Sequence, residues 1–368
     1  MIVLGLVYKI ITSLKALSTM SYRYLERYDI VSYYKIHAIS KASGILKNRQ
    51  KSIKRGFKTK TPYLRTGMMI SCYGFKIDWN SGILKIPLGG KRYFDLKLNN
   101  FVLKTISTLK VHSFSISSLG KLGISYSKPI TEQIECTSMV GVDRNLSNVT
   151  VGNIEKTTIY NLEKCNKIID NTKSIYKSFK RNDHRIRKKI YSKYGNRRKN
   201  RVNLILHKAS KSIVKELKEN KQGVAFEKLT FIRRLYQKGN GQGNNYRGKM
   251  NSWSFAEIKR QIKYKAEWEG IKVIELSSKD TRYTSSLCHK CGKNVRTQYD
   301  KLTRLISCYD CHLVIDRDVL AAINIAKKGD DVFHRSKCLS GEAMVVESCL
   351  FPKVIHQVDE RKFEACVS

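Results

Sequence analysis

Apolar residues along this chain keep two different periods, and the changes between them mark out its parts. Up to about residue 56, Tyr, Ile and Leu gather on one side of a helical pattern with Lys and Arg on the other. Val3, Val7, Ile10, Leu14 and Leu17 recur at helical spacing and predict one face of a packed helix. From about Leu64 the period falls to two. RTGMMISCYGFKID, the turn signal Asn80-Ser81-Gly82 and ILKIPL predict a β-hairpin. FDLKL, LKVHSFSIS and KLGISYSK predict further short strands of a small barrel or sandwich. At Met139 the texture changes again: MVGVDRNLSNVTVGN reads as an apolar strand running into Asp143, a tight polar turn, and a returning strand through Val149 and Val151. Residues 171–218 predict a long helical hairpin, with Val202, Ile205, Ala209, Ile213 and Leu217 on one core-facing stripe. GVAFEKL is a short buried strand with Glu227 at its C-terminal edge, followed by a Gly/Asn-rich loop, KGNGQGNNYRGK. Helix 254–268 would carry Phe255, Ile258, Ile262 and Ala266 inward behind a Ser254/Glu257 capping box. IKVIELS is another buried strand, and a final helix over 316–328 is expected to end at Gly329. The tail beyond has no period.

Charge changes this picture. Against 30 Asp and Glu the chain sets 71 Lys and Arg, a formal balance of +41 over 368 residues. An isolated globule with that charge repels itself, so a polyanionic partner is expected. Nucleic acid fits better than a membrane surface, because the basic residues are interleaved with aromatics, twenty tyrosines among them, and no single amphipathic basic helix concentrates them. The stretch KSFKRNDHRIRKKIYSKYGNRRKNR holds one acid, Asp183, and reads as a phosphate-contacting face, the alternative being a merely solvated one. No window of eighteen uncharged apolar residues predicts a membrane span. The opening MIVLGLVYKIITSLKAL is interrupted by Lys9 and Lys15, which favours a packed helix over a signal peptide. Cys72, Cys136, Cys165, Cys338, Cys349 and Cys366 are scattered without pairing logic, so reduced thiols and a cytoplasmic location are expected.

Chemistry concentrates near the C-terminal third. Two Cys-x-x-Cys knuckles, Cys288/Cys291 and Cys308/Cys311, are separated by sixteen residues. Each knuckle offers two thiolates on a tight turn, and two such turns close a tetrahedron around Zn²⁺. A disulfide pair is the alternative. Three acids sit at element ends: Asp143 on the first strand, Glu227 on a later one, Asp318 in the first turn of the last helix. Acids so placed can converge at one sheet edge, where their repulsion calls for a hard divalent cation, Mg²⁺ or Mn²⁺. Two of them also have a plainer reading, Asp143 as a turn residue and Asp318 as a complement to the helix dipole. Asp316 is placed to be the N-cap.

GVDRNLSN, FEKL, TSSLCHKCG, CYDC and DRDVLAAINIA, in this order and spacing, resemble the TnpB family, RNA-guided endonucleases encoded by insertion sequences and related to type V CRISPR effectors. The resemblance covers about Met139 to Gly329. It implies an α/β multidomain chain: a helical recognition region over 1–60, a β-rich, barrel-like wedge domain over 61–135, and an RNase H-like (RuvC) core with a helical-hairpin insertion over 136–281. A zinc ribbon over 282–315, a last RuvC helix over 316–329 and a tail over 330–368 complete it. It further implies that Asp143, Glu227 and Asp318 hold catalytic Mg²⁺ or Mn²⁺, that the zinc is structural, and that the partners are a guide RNA from the same element and its target DNA. Two departures stand out. Leu320 replaces the asparagine usual in the last motif, which would remove an amide near the metal site, although Asn324 is in place. The chain also begins among the helices, so a strand of the barrel is expected to be missing. A guided binder that does not cut, and a zinc-ribbon DNA-binding protein with no guide, are the rival functions.

Overall fold

The computed structural model describes residues 12–64, 67–118, 120–129, 132–179, 184–229, 232–237, 239–297, 304–339 and 355–358. It divides into two compact units, Met1–Pro129 and Ile130–Ser368.

In the first unit, α1 (Leu14–Glu26) and α2 (Ser32–Lys54) share a small core of Leu17, Ile39, Ala42 and Leu46. Of the predicted opening stripe, Val3, Val7 and Ile10 lie outside the described residues; Leu17 is fully buried and Leu14 is exposed. After β1 (Met68–Ser71), strands β2 (Lys76–Asp78) and β3 (Ile83–Gly89) form the expected hairpin. Asp78 Oδ1 accepts from the amides of Asn80 and Ser81, and Gly82 takes the positive φ the turn demands. β4 (Arg92–Lys97) completes one antiparallel sheet. A short helix that strand periodicity did not predict, α3 (Asn100–Ile106), is capped by Asn99, whose Oδ1 accepts from Val102 N at 2.8 Å. β5 (Lys110–Ser117) and β6 (Leu122–Ser127) join β1 in a second sheet. Leu84 and Ile86 from one sheet and Phe114 from the other meet in one core with Tyr34, Leu98 and Ile106.

The second unit is built on a sheet. β7 (Ser138–Arg144), β8 (Asn148–Gly152) and β9 (Thr157–Asn161) run antiparallel in sequence. α4 (Glu163–Ser178) and the 36-residue α5 (His184–Glu219) follow, and the chain returns as β10 (Gln222–Phe226), parallel to β7. A 3₁₀ turn (Ile232–Tyr236) and α6 (Asn244–Ser252) occupy ground expected to be loop. There Met250 is buried one turn beyond Tyr246, whose ring meets Tyr236 edge-on at 5.9 Å. α7 (Phe255–Trp268) leads to β11 (Val273–Glu275), parallel to β10. The capping box is not made: Ser254 is the N-cap residue but makes no side-chain cap bond, and the Glu257 carboxylate is taken by Arg260 and Gln261. β12 (Arg296–Thr297), β13 (Leu305–Ser307) and β14 (Val314–Asp316) form a small antiparallel sheet, from which α8 (Arg317–Leu339) departs. β15 (Ile355–Val358) adds to β9, giving the order β11-β10-β7-β8-β9-β15.

Alternation along the strands sorts the two faces. Val140, Val142, Val224 and Phe226 point to one side, where they pack with the α5 stripe (Val202, Leu206, Ala209, Ile213, Leu217) and with Ile258 and Ile262 of α7. Met139 and Ala225 point to the other, against Ile325 and Phe333 of α8. The expected helix end at Gly329 is therefore wrong. The apolar stripe runs on to Phe333, and Gly329 is a contact point: a Cβ there would lie 2.5 Å from that of Ala225. Gly141 serves the same close approach from the strand side. A Cβ at Gly141 would collide with the Ala322 carbonyl and lie 2.6 Å from the Ala326 amide, which are rigid backbone atoms of α8. Gly141→Ala is expected to cost about 3 kcal/mol or more, at or above the usual range for overpacking, read as a lower midpoint in urea with unchanged slope. An unchanged midpoint would refute this packing.

Candidate functional site

The same alternation fixes the site. Continuing past Met139 and Gly141, Asp143 falls on the α8 face of β7; continuing past Ala225, Glu227 falls on the α8 face just beyond β10. α8 reaches this sheet end with its first turn, carrying Asp318. Asp143, Glu227 and Asp318 line one cleft of about 490 Å³, with Asn145, Ser285 and Arg304 also on its wall. That volume lies within the usual range of ligand clefts.

All three carboxylates are nearly buried, at 9%, 9% and 3% exposure. Burial, and then the Glu227 charge, push the Asp143 carboxyl up to about 6. Burial, and then Asp143, do the same for Asp318, against the pull of Arg304. Glu227 is raised by burial and held back by Arg144. At each acid, burial outweighs the nearby positive charge. Their neighbours fix geometry more than charge: Asn145 Nδ2 donates to Asp143 Oδ2 at 2.7 Å, and Asn148 Nδ2 to Asp318 Oδ2 at 3.4 Å. Arg144, also on the cleft wall, donates to the carbonyls of Glu227 (3.0 Å) and Phe255 (3.1 Å), so it ties β7 to the chain around Glu227. Arg304 bonds Asp318 Oδ1 directly. Asp316 is the N-cap, accepting from the amides of Asp318 (2.7 Å) and Val319 (3.3 Å).

The four cysteines come together more closely. Their sulfurs all lie within 4.8 Å of one another, with Cys288–Cys311 and Cys291–Cys308 at 3.4 Å. A tetrahedron of Zn–S bonds of about 2.3 Å has edges of about 3.8 Å, so the set fits zinc. Among the described residues no other group of potential ligands gathers so tightly; the three carboxylates share a cleft at wider spacing. Gly292 takes φ 73° in the first knuckle turn.

Two residues bear on the departure at Leu320. Successive helical residues turn by about 100°, so Leu320 faces away from Asp318. It is fully buried among Ile306, Ile315, Val319 and Ile323, where the small sheet rests on α8. It does not line the cleft, and the expectation of an amide lost from the acids fails on that geometry. Asn324 donates to the carbonyls of Thr284 (2.8 Å) and Leu287 (2.7 Å), pinning the start of the cysteine region to α8. Arg144 and Arg304 were not singled out from sequence. Asn145 and Asn148 stood in the motif around Asp143, where their spacing gave the only signal; Arg304 had none, since its partner is reached through the fold of the cysteine region.

Comparison with known proteins agrees with this layout. The family profile described as Cas12f1-like, TNB domain, matches residues 255–325. A TnpB-like protein of Methanocaldococcus jannaschii is 33% identical over 207 residues, covering 52% of this chain and 69% of that protein. The CRISPR-associated endodeoxyribonuclease Cas12f1 of Sulfoacidibacillus thermotolerans is 32% identical over 121 residues, 33% of this chain and 25% of that one. Among solved structures, Cas12f1 in complex with single-guide RNA and target DNA superposes with a TM-score of 0.53 at 16% identity, over 78% of this chain and 70% of that one. With a third of its residues identical across more than two thirds of the archaeal protein, the chain belongs to the TnpB/Cas12f-like family.

Proposed function

We propose that this protein is an RNA-guided, divalent-metal-dependent DNA endonuclease whose cutting site is the cleft of Asp143, Glu227 and Asp318. The observation that carries the reading is the arrival of three buried acids, from three separate elements, on one wall at the strand ends of the sheet. Three antiparallel strands followed by two parallel ones support an RNase H-like core, and the four thiolates support a structural zinc ribbon. The donor set is all carboxylate oxygen, which suits Mg²⁺ or Mn²⁺. The chemistry such an ion supplies is a more acidic water and a stabilised leaving oxygen in phosphodiester hydrolysis. The chain's own part is orientation: Asn145 and Asn148 each hold one acid, and Arg144 holds the Glu227 backbone. Target choice would come from guide–target pairing, the protein gripping the duplex by its backbone, in a cytoplasmic complex.

The reading is tested by expressing the chain with its own flanking DNA, recovering the bound RNA, and offering a duplex matched to it with Mg²⁺. Cleavage is expected. Binding of RNA and matched DNA without any cut would make the chain a guided binder, and absence of bound RNA would leave only the ribbon factor.

The first half of α5 presents a basic face suited to phosphate. Arg187 is engaged with the Tyr191 hydroxyl (2.7 Å), whereas Lys188, Lys189, Lys193 and Arg197 are exposed. Replacing Lys188, Lys189 and Lys193 by Gln is expected to weaken RNA binding and reduce its salt slope by about one unit per lost contact. An unchanged slope would make this face merely solvated.

A further inference from the structure

The segment between β11 and the first knuckle has no regular structure, yet its carbonyl oxygens are taken up one after another. Lys328 Nζ donates to Asp280 O and Arg282 O, both at 2.6 Å. Asn324, one turn earlier on α8, holds Thr284 O and Leu287 O. The Tyr283 carbonyl accepts from the amides of Ser286 and Leu287, both at 3.1 Å. In the middle of this clamp Tyr283 has φ 65°, the left-handed region that a bulky residue seldom enters and glycine enters freely. Such strain persists where surrounding bonds over-determine it, and it gathers at functional sites. The fold gains little from the ring itself, which is part of a residue 65% exposed. Thr284 and Ser285, the next two residues, line the acid cleft. Neighbouring Cα atoms are about 3.8 Å apart, so the Tyr283 backbone directly borders the cleft lining.

We propose that Tyr283 is a stacking post for a nucleobase of the single strand led into the acid cleft, a positioning residue whose left-handed backbone aims the ring outward. The inference rests on the nuclease reading. An aromatic face stacks on any base, because every base has a π-face. That tolerance suits an enzyme whose sequence choice is made by pairing elsewhere. A ring that merely closed the turn would be better replaced by glycine, and this contrast supplies the test.

Tyr283→Gly removes the ring and relieves the backbone; Tyr283→Phe keeps both ring and strain. The full-length protein with its guide RNA is mixed with a short single-stranded DNA carrying 2-aminopurine, whose fluorescence is quenched by stacking, and thermal unfolding is measured alongside. Tyr283→Phe is expected to quench as the parent does. Tyr283→Gly should unfold at the same or a higher temperature, yet lose the quench and bind the strand roughly five- to a hundredfold more weakly. In cleavage, that loss should appear in KM more than in kcat. Tyr283→Gly keeping the parent's quench and affinity overturns the proposal. The quench needs no cleavage, so a parent that quenches but never cuts refutes the nuclease reading while leaving the stacking post intact.

Discussion

Changing Asp143, Glu227 or Asp318 singly to Ala is expected to lower Mg²⁺-dependent cleavage more than about a thousandfold. A metal in such a site contributes several kcal/mol of charge stabilisation, and about 4 kcal/mol is three decades of rate. Guide RNA and target binding should survive, because each change removes negative charge from an already basic protein. The neighbours should rank below the acids. Asn145→Ala and Asn148→Ala leave the donor set whole but unheld, and are expected to cost about 10- to 100-fold. Asp316→Ala loses the two amide bonds of the N-cap, about 1 kcal/mol of stability, with only a partial loss of cleavage. Full cleavage by Asp143→Ala would reject the assignment of the acids; equal losses at all six positions would mean that the cleft responds to folding rather than to chemistry.

Arg304 adds a further expectation to this ranking. Its guanidinium bonds the same carboxylate, Asp318, that the proposed metal would use, and its side chain is half exposed. Arg304→Gln removes that competing charge. Mn²⁺ binding to the protein without nucleic acid, followed by electron paramagnetic resonance, is then expected to tighten by up to about fivefold, since an ion pair with a half-exposed partner is worth about 1 kcal/mol or less. Unchanged Mn²⁺ affinity would mean that Arg304 and a metal occupy Asp318 without interference.

What could be read from the chain alone follows a physical division. Thiolates at fixed spacing carry their geometry with them, so the knuckles were legible before any fold was known. The ends of two strands at Asp143 and Glu227 were also legible, but only the parallel register that sets Ala225 beside Gly141 puts both acids on one face. Long-range packing was not. Gly329 looks like a helix end in sequence because glycine commonly is one; only the presence of Ala225 and Met139 opposite makes it a point of close approach. Glu257 fits a capping box until Arg260, three residues on, outcompetes the backbone for its carboxylate with two hydrogen bonds. Leu320 shows the reverse case. Comparison with a family motif drew it toward the acids, while the plain 100° step of a helix sends it into the apolar contact beneath the ribbon.

That contact is why the second large effect should reach beyond the ribbon itself. Cys288→Ser or Cys308→Ser is expected to abolish zinc binding, since three thiolates no longer close the tetrahedron, and to unfold residues 282–315. Structural zinc sites of this kind hold their metal with about 10–16 kcal/mol, far more than so small a sheet could replace. The damage should then propagate. β13 and β14 pair Leu305 with Asp316, and Ile306 and Ile315 pack on Val319, Leu320 and Ile323. Asp316 caps the turn that holds Asp318, and Arg304 bonds Asp318 itself. A ribbon without zinc therefore loosens the first turn of α8, and cleavage should fall by at least about tenfold although no acid has been touched. Elemental analysis of freshly purified reduced protein should give one zinc per chain, and trypsin should open the ribbon of the Cys308→Ser variant while sparing that of the parent. A zinc-selective chelator, with Mg²⁺ then restored, should reproduce the loss of cleavage in the parent. Protein without zinc that still resists trypsin in this region would show that the four sulfurs hold no structural metal; zinc removal with undiminished cleavage would show that the ribbon and the Asp318 turn are mechanically independent.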